Sequence, residues 1–170
     1  TVAENTSDGI VAPLFYVALG GPALGMAYKA VNTLDSMVGY RTERYRALGW
    51  ASARFDDLAN YLPARLTALL LIVAAFFLRK DWRSAYTTIR RDAAKHQSLN
   101  SGYPESAVAG ALKVQLGGPS SYQGVLRNAA VLGEGDRPLN EGTIRDTVVM
   151  MYLASAQMLL LCLFYRGALA

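Results

Sequence analysis

The sequence contains one cysteine, Cys162, and one histidine, His96. A single thiol excludes a disulfide framework and a thiolate metal cluster. A single imidazole excludes a multi-histidine zinc site built from this chain alone. Charge is also scarce: charged residues make up 18% of the chain, against about 25% in a typical soluble domain. The net charge of +4 comes from 17 Lys and Arg against 13 Asp and Glu. That excess is too small and too dispersed to argue for a nucleic-acid partner. It suits a membrane protein with basic loops, or a binder of anionic substrates. Sustained period-two alternation is almost absent, and there is no internal repeat. No G-x-x-x-x-G-K-S/T loop occurs, and no G-x-G-x-x-G follows a strand pattern, so a bound nucleotide would not rest on a P-loop. No signal-peptide pattern precedes the first apolar run. The first residue is Thr1, and upstream sequence is expected to have been cut away or to lie on another chain.

Apolar residues are plentiful, at 52% of the chain, and the mean hydropathy is +0.18. The 170 residues are enough for one domain with one core. Three stretches stand out. The first, Ile10 to Val31, is interrupted by Gly20-Gly21-Pro22. The second, Leu66 to Leu78, holds thirteen residues without charge between Arg65 and Arg79-Lys80. The third, Thr147 to Tyr165, holds nineteen uncharged residues, close to the roughly 20 that a transmembrane helix needs. The second becomes long enough if Tyr61 to Arg65 joins it with Arg65 snorkelling; Pro63 would then fit its first turn. Gly-Gly-Pro in the first stretch predicts either a broken, re-entrant helix or a proline kink. The fold class expected is all-α: a polytopic membrane protein with broken or re-entrant helices and helical polar loops, residues 1–170 forming the C-terminal part of one embedded domain.

Orientation is contradictory at this level. Arg79, Lys80, Arg83, Arg90 and Arg91 ask for a cytoplasmic second polar segment. Arg41, Arg44, Arg46 and Arg54 ask the same of the first. A simple span between the two cannot satisfy both.

Four constellations carry possible chemistry. Glu4-Asn5-Thr6-Ser7-Asp8-Gly9 places two carboxylates and an amide before an apolar helix, which reads as an N-cap or as a ligand set. On the segment Tyr28 to Tyr40, Lys29, Asn32, Thr33 and Ser36 form one polar helical stripe flanked by Asp35, with Ala30, Val31, Leu34 and Val38 opposite. Between Arg54 and Arg65, Asp56 and Asn60 share a helix face and Asp57 lies one step round. Adjacent carboxylates beside an apolar helix call for Arg54, Arg65 or a bound cation as compensation. Oxygen ligands without His or Cys suit Mg²⁺. From Arg91 to Glu105, Asp92 and His96 are four apart, Asn100-Ser101-Gly102 signals a turn, and Pro104 starts a helix of small residues that permits close packing. The start of that helix could hold an anion.

These motifs, with Gly117-Gly118-Pro119 and Tyr122, resemble those of the CobD/CbiB family in order, over Glu4 to about Gly124. The resemblance implies an integral membrane enzyme of cobalamin synthesis, an adenosylcobinamide-phosphate synthase. Such an enzyme joins adenosylcobyric acid to (R)-1-aminopropan-2-ol O-phosphate, or a close amino-alcohol phosphate, using ATP and Mg²⁺. Leu99 and Tyr103 stand where the family often has Pro and Trp, so turn geometry or substrate preference is expected to differ there.

Under that resemblance Asp56, Asp57, Glu4 and Asp8 are the expected Mg²⁺ ligands. Asp92 or His96 would take the proton of the attacking amine. Lys29 and Arg65 would hold phosphate. Asn5, Asn32, Asp35, Ser36, Asn60, Arg65, Asn100, Ser101 and Glu105 complete the expected substrate contacts. Expected partners are the two substrates, the lipid bilayer, the upstream half of the protein or a companion chain, and a second copy in a homo-oligomer. The expected location is the cell membrane, with a cytoplasmic active site. An AmpE-like signalling protein and a non-catalytic scaffold for cobamide enzymes are the rival readings. One geometric demand follows: Glu4, Lys29, Asp56 and Asp92 must reach one site, which a straight first helix forbids.

Overall fold

The structure is a computed structural model that describes residues 1–38, 46–122, 125–135 and 137–168. Gly39, Tyr40, Arg41, Arg44 and Gly124, which the sequence reading used, lie outside the described residues. The chain runs α1 (Val2–Thr6), a π-helical turn (Ser7–Val11), α2 (Ala12–Val38), α3 (Arg46–Phe77) and α4 (Trp82–Asp92). A 3₁₀ turn (Ala93–Lys95), α5 (Gly102–Leu112), β1 (Leu116–Tyr122), β2 (Val125–Leu132) and α6 (Glu141–Ala168) follow. Among the described residues, three helical stretches are long and apolar enough to cross a membrane: 2–37, 49–77 and 141–168.

The first of these does not cross as one rod. Gly20 (φ −136°, ψ 21°) and Gly21 (φ 70°, ψ −169°) leave helical geometry inside α2. A positive φ is open to glycine at little steric cost, and Pro22 offers no N–H to bridge the gap. Beyond the break the chain doubles back. The Tyr28 hydroxyl lies 3.2 Å from the carbonyl oxygen of Asp8, twenty positions earlier; in a straight helix that separation is about 30 Å. Tyr16 and Tyr28 stack with ring centroids 5.0 Å apart. A Cβ on Gly25 would fall 2.4 Å from Val17 Cγ2, so the absent side chain is what lets the two arms close. Of the two possibilities left open by Gly-Gly-Pro, the structure has the re-entrant hairpin.

Three local expectations are corrected. Ser7 and Asp8 are not an N-cap, because the helix already begins at Val2 and they lie in the π turn. Such turns widen a helix by one residue and are frequent at functional sites. Pro63 is not in a first turn, because α3 begins seventeen residues earlier at Arg46. The missing N–H leaves the Ala59 carbonyl open, and Tyr16 Oη donates to it at 2.8 Å. The third correction concerns strands: alongside the helices stands one antiparallel ribbon, β1–β2. Its first strand reads LGGPSSY, without alternation. The register shifts between Leu116 and Gly118, where Gly117 and Gly118 take φ of 86° and 82°.

α5 is buried along most of its length. Its small residues allow contact closer than ordinary helix packing: a Cβ on Gly110 would lie 2.5 Å from the Ser84 carbonyl oxygen. α4 starts at Asp81, whose side chain accepts from Ser84 N–H at 2.9 Å, as an N-cap should. The core joins Val11, Leu71, Ala75, Val108, Leu112, Met150 and Met158. Large apolar side chains stay exposed on α3, among them Phe55, Leu58, Leu62, Leu69, Val73 and Phe76, and on α6, among them Tyr152, Leu160, Leu163 and Phe164. Contiguous exposed apolar faces of this extent fit lipid or further helices, not water.

Candidate functional site

The hairpin brings the first two polar motifs against the third. Lys29 Nζ donates to Asn32 Oδ1 at 3.0 Å. Asn32 Nδ2 donates to Asp56 Oδ1 at 3.2 Å. Asn60 Nδ2 donates to Asp56 Oδ2 at 3.0 Å, and Tyr28 Oη lies 2.8 Å from Asn60 Oδ1. Asn60 is 1% exposed, so the inner end of this network is buried with its amide matched, while its outer end, at Lys29, is exposed. Asp8 stands within electrostatic reach of Asp56, Glu4 and Lys29. Part of the polar stripe of α2 thus enters the network, and on the apolar side opposite Ala30 and Leu34 are exposed while Val31 is half-buried.

The expected compensation of Asp56 and Asp57 by arginine is not what the structure has. Arg54 lies over the Trp50 ring. Arg65 is held between the rings of Tyr61 and Tyr103, 3.5 Å and 4.1 Å from their centroids. It also donates to the Tyr61 carbonyl at 2.7 Å and to Asn100 Oδ1 at 3.3 Å. Among the described residues no salt bridge reaches either aspartate, and Lys29, relayed by Asn32, is the cation nearest in the network. The four carboxylates expected to bind Mg²⁺ do not form a closed cage: among the described residues no three His, Cys, Asp or Glu side chains converge enough to hold a metal.

The turn after α4 supplies the other side of the site. Ser101 Oγ donates to Glu4 Oε1 at 3.2 Å, and Asn100 Nδ2 donates to the Asp57 carbonyl at 2.9 Å. Asp57 thus contributes its backbone. Ser98 N–H donates to His96 Nδ1 at 3.0 Å, which leaves the proton of a neutral imidazole on Nε2, 3.6 Å from Glu105 Oε2. Burial pushes the Glu105 carboxyl above its ordinary value, and Glu4 adds to this against the opposing effect of His96.

His96 and Glu105 line a cavity of about 730 Å³. Val2 of α1, Val108 of α5, Leu116 and Ala130 of the ribbon, and Ile144 of α6 give it mostly apolar walls.

Of the demanded set, Glu4, Lys29 and Asp56 gather around the hairpin and turn; Asp92 does not. Its carboxylate is 1% exposed and accepts from Arg91 Nε (2.8 Å), Arg91 Nη2 (2.5 Å), Lys95 Nζ (2.7 Å) and Gly133 N–H (2.9 Å). Arg91, then Lys95 and Gly133, hold it far below the usual carboxylate range against the cost of burial. A carboxylate so occupied is a poor proton acceptor.

Asn5 turns back to the Thr1 carbonyl, and Ser36 donates to that of Asn32. Asp35, partly buried on the same arm, lies within reach of the Asp56 and Asp57 charges. The sequence reading gave no role to Tyr16, Tyr28 or Tyr103. A phenol inside an apolar helical run must find a partner for its hydroxyl, and that was the available signal.

A family model described as "CobD/Cbib protein" matches residues 1–151. The cobalamin biosynthesis protein CobD of Pelobacter propionicus is 53% identical over 96% of this chain and 50% of its own length. That of Listeria monocytogenes is 52% identical over 91% and 49%. The cobalamin biosynthesis protein CbiB of Salmonella paratyphi A is 52% identical over 100% and 53%. The chain spans about half the length of the curated relatives it matches. No solved structure matches it.

Proposed function

Since the chain belongs to the CobD/CbiB family, we propose that it forms the half of an adenosylcobinamide-phosphate synthase that positions the reacting groups. The reaction joins adenosylcobyric acid to (R)-1-aminopropan-2-ol O-phosphate, or a close analogue, at the cost of ATP, in the cell membrane with the site open to the cytoplasm. The observation that supports this best is the convergence of Glu4, Asp8, Lys29, Asn32, Asp56 and Asn60 where the helix folds back.

Mg²⁺ fits here as a companion of nucleotide phosphates, because it is commonly bound by one or two carboxylates with phosphate and water completing its shell. Asp8 and Asp56 would hold it, and it would offset phosphate charge. Lys29, exposed at the end of its stripe, and Arg65 bind and orient anionic oxygens. The mostly apolar cavity would take one edge of the corrinoid, which is too large to lie wholly inside it. The attacking amine gives up its proton to the Glu105–His96 pair that lines this cavity, since Asp92 has no lone pair to spare.

The test is made on the chain in lipid nanodiscs, with the rest of a full-length relative co-expressed. It is given ATP, Mg²⁺, adenosylcobyric acid and the amino-alcohol phosphate. The expected result is adenosylcobinamide phosphate by mass spectrometry, with turnover lowered at least about 100-fold by Asp56→Asn and far less by Asp57→Asn. Absence of product from the intact assembly overturns the reading in favour of a signalling or scaffold role. Full activity of Asp56→Asn overturns the assignment of Asp56.

A further inference from the structure

Asp92 is buried and accepts four hydrogen bonds, yet it touches neither the cavity nor the network around Asp56. Its position is instead a junction. On one side the chain passes through the 3₁₀ turn Ala93–Lys95 straight into His96. On the other, Asp92 Oδ2 holds the N–H of Gly133, the residue that follows β2. Arg91 extends the same junction by pairing with Glu134.

Gly133 itself has little freedom. Its φ is 90°, and a Cβ there would lie 2.4 Å from the Val114 carbonyl oxygen. Leu132 beside it is 1% exposed. The ribbon that starts from this base supplies Leu116, Gly117, Ala129 and Ala130 to one wall of the cavity, and His96 with Glu105 lies on another.

We propose that Asp92 is a positioning residue that fastens the β1–β2 ribbon to the turn carrying His96, and so fixes the gap between the ribbon wall and the His96–Glu105 pair. Only the identity of what enters the gap rests on the ligase reading. The ion pairs with Arg91 and Lys95 keep the carboxylate ionised and aimed, and the bond to Gly133 transmits that aim to the ribbon. An asparagine keeps an acceptor for Gly133 but loses the charge that draws both cations; an alanine loses both.

The experiment compares wild type, Asp92→Asn and Asp92→Ala in the co-expressed assembly by amide hydrogen exchange of the segment containing Gly133 and by steady-state kinetics. Exchange at that segment is expected to accelerate about tenfold or more in Asp92→Ala and less in Asp92→Asn. In Asp92→Asn the KM for adenosylcobyric acid rises about tenfold, kcat changes by less than about threefold, and the pH–rate profile keeps its shape. If Asp92→Ala fails to fold, Glu134→Gln, which loosens the outer pair alone, gives an intermediate acceleration. A drop of kcat of about a thousandfold in Asp92→Asn, with exchange unchanged and the acid limb of the profile lost, overturns the proposal and makes Asp92 the base. If wild type forms no product the ligase reading falls, while the exchange measurement still decides the latch.

Discussion

The hydroxyl of Tyr16 donates a 2.8 Å hydrogen bond to the carbonyl of Ala59, the acceptor that Pro63 cannot serve. Proline within an apolar helix is tolerated where a neighbouring group meets the freed carbonyl, and here that group comes from the re-entrant arm. Tyr16→Phe keeps the ring stack on Tyr28 and removes only this bond. It should cost about 1 kcal/mol of stability. In a Pro63→Ala background, where the helix supplies its own N–H, the same change should cost close to nothing. Denaturation of the four proteins in detergent gives the coupling energy; a value near zero would show that the bond is incidental.

The hairpin closes on Gly25. Gly25→Val adds bulk where even a Cβ meets Val17 Cγ2 at 2.4 Å, and overpacking of this kind costs about 1–3 kcal/mol. Loss of stability should be accompanied by loss of activity, because Lys29 and Asn32 ride on the displaced arm. Val17→Ala should recover part of both in a Gly25→Ala protein. Thermal melts and turnover measured together check this; a stable, inactive Gly25→Val would point to substrate contact at Gly25 instead.

Glu105 sets the acid limb of activity. Its carboxyl is pushed above the ordinary glutamate value of about 4.3 by burial, and it must be ionised to take a proton. Activity should therefore fall with decreasing pH earlier than an unperturbed glutamate would dictate. Glu105→Gln should remove that limb and lower kcat by about 10²–10⁴. The stability effect has the opposite sense. A raised carboxyl pKa favours the fold below the unfolded value, and that contribution is lost as pH rises through the folded one. Glu105→Gln should therefore melt higher than wild type at neutral pH, where the buried carboxylate is charged. A pH–rate profile with parallel melts tests both signs.

The helices and the break were legible in the sequence because Gly-Gly-Pro and uncharged runs act locally, through φ and hydropathy. The pairing of Asp56 with Asn60 was legible for the same reason, being a one-turn relation on α3. Long-range partnership was not. Nothing in the Asp92-to-His96 spacing indicates that one residue is bound to Gly133 and the other faces Glu105, since a four-residue helical relation was assumed and a 3₁₀ turn intervenes. The ribbon was missed because its first strand reads LGGPSSY, and its Gly-Gly-Pro carries a loop signal in place of alternation. Arg65 was read as a possible partner of Asp56 and Asp57 because nothing in the sequence shows that Tyr61 and Tyr103 enclose it.

The bond from Asn100 to the Asp57 carbonyl bears on how charge is sorted across a bilayer. From Asp57 to Arg79 the chain advances about 33 Å at helical rise, about the depth of the hydrocarbon layer. By Asn100 it is again beside Asp57. The polypeptide between them makes a round trip, and a round trip changes no compartment. Asn100 and Asp57 therefore lie at one level, and the chain beyond Arg79 comes back to the part of α3 from which it set out. Of the cations left at the far turn, Lys80 is met by Asp146 at 2.6 Å.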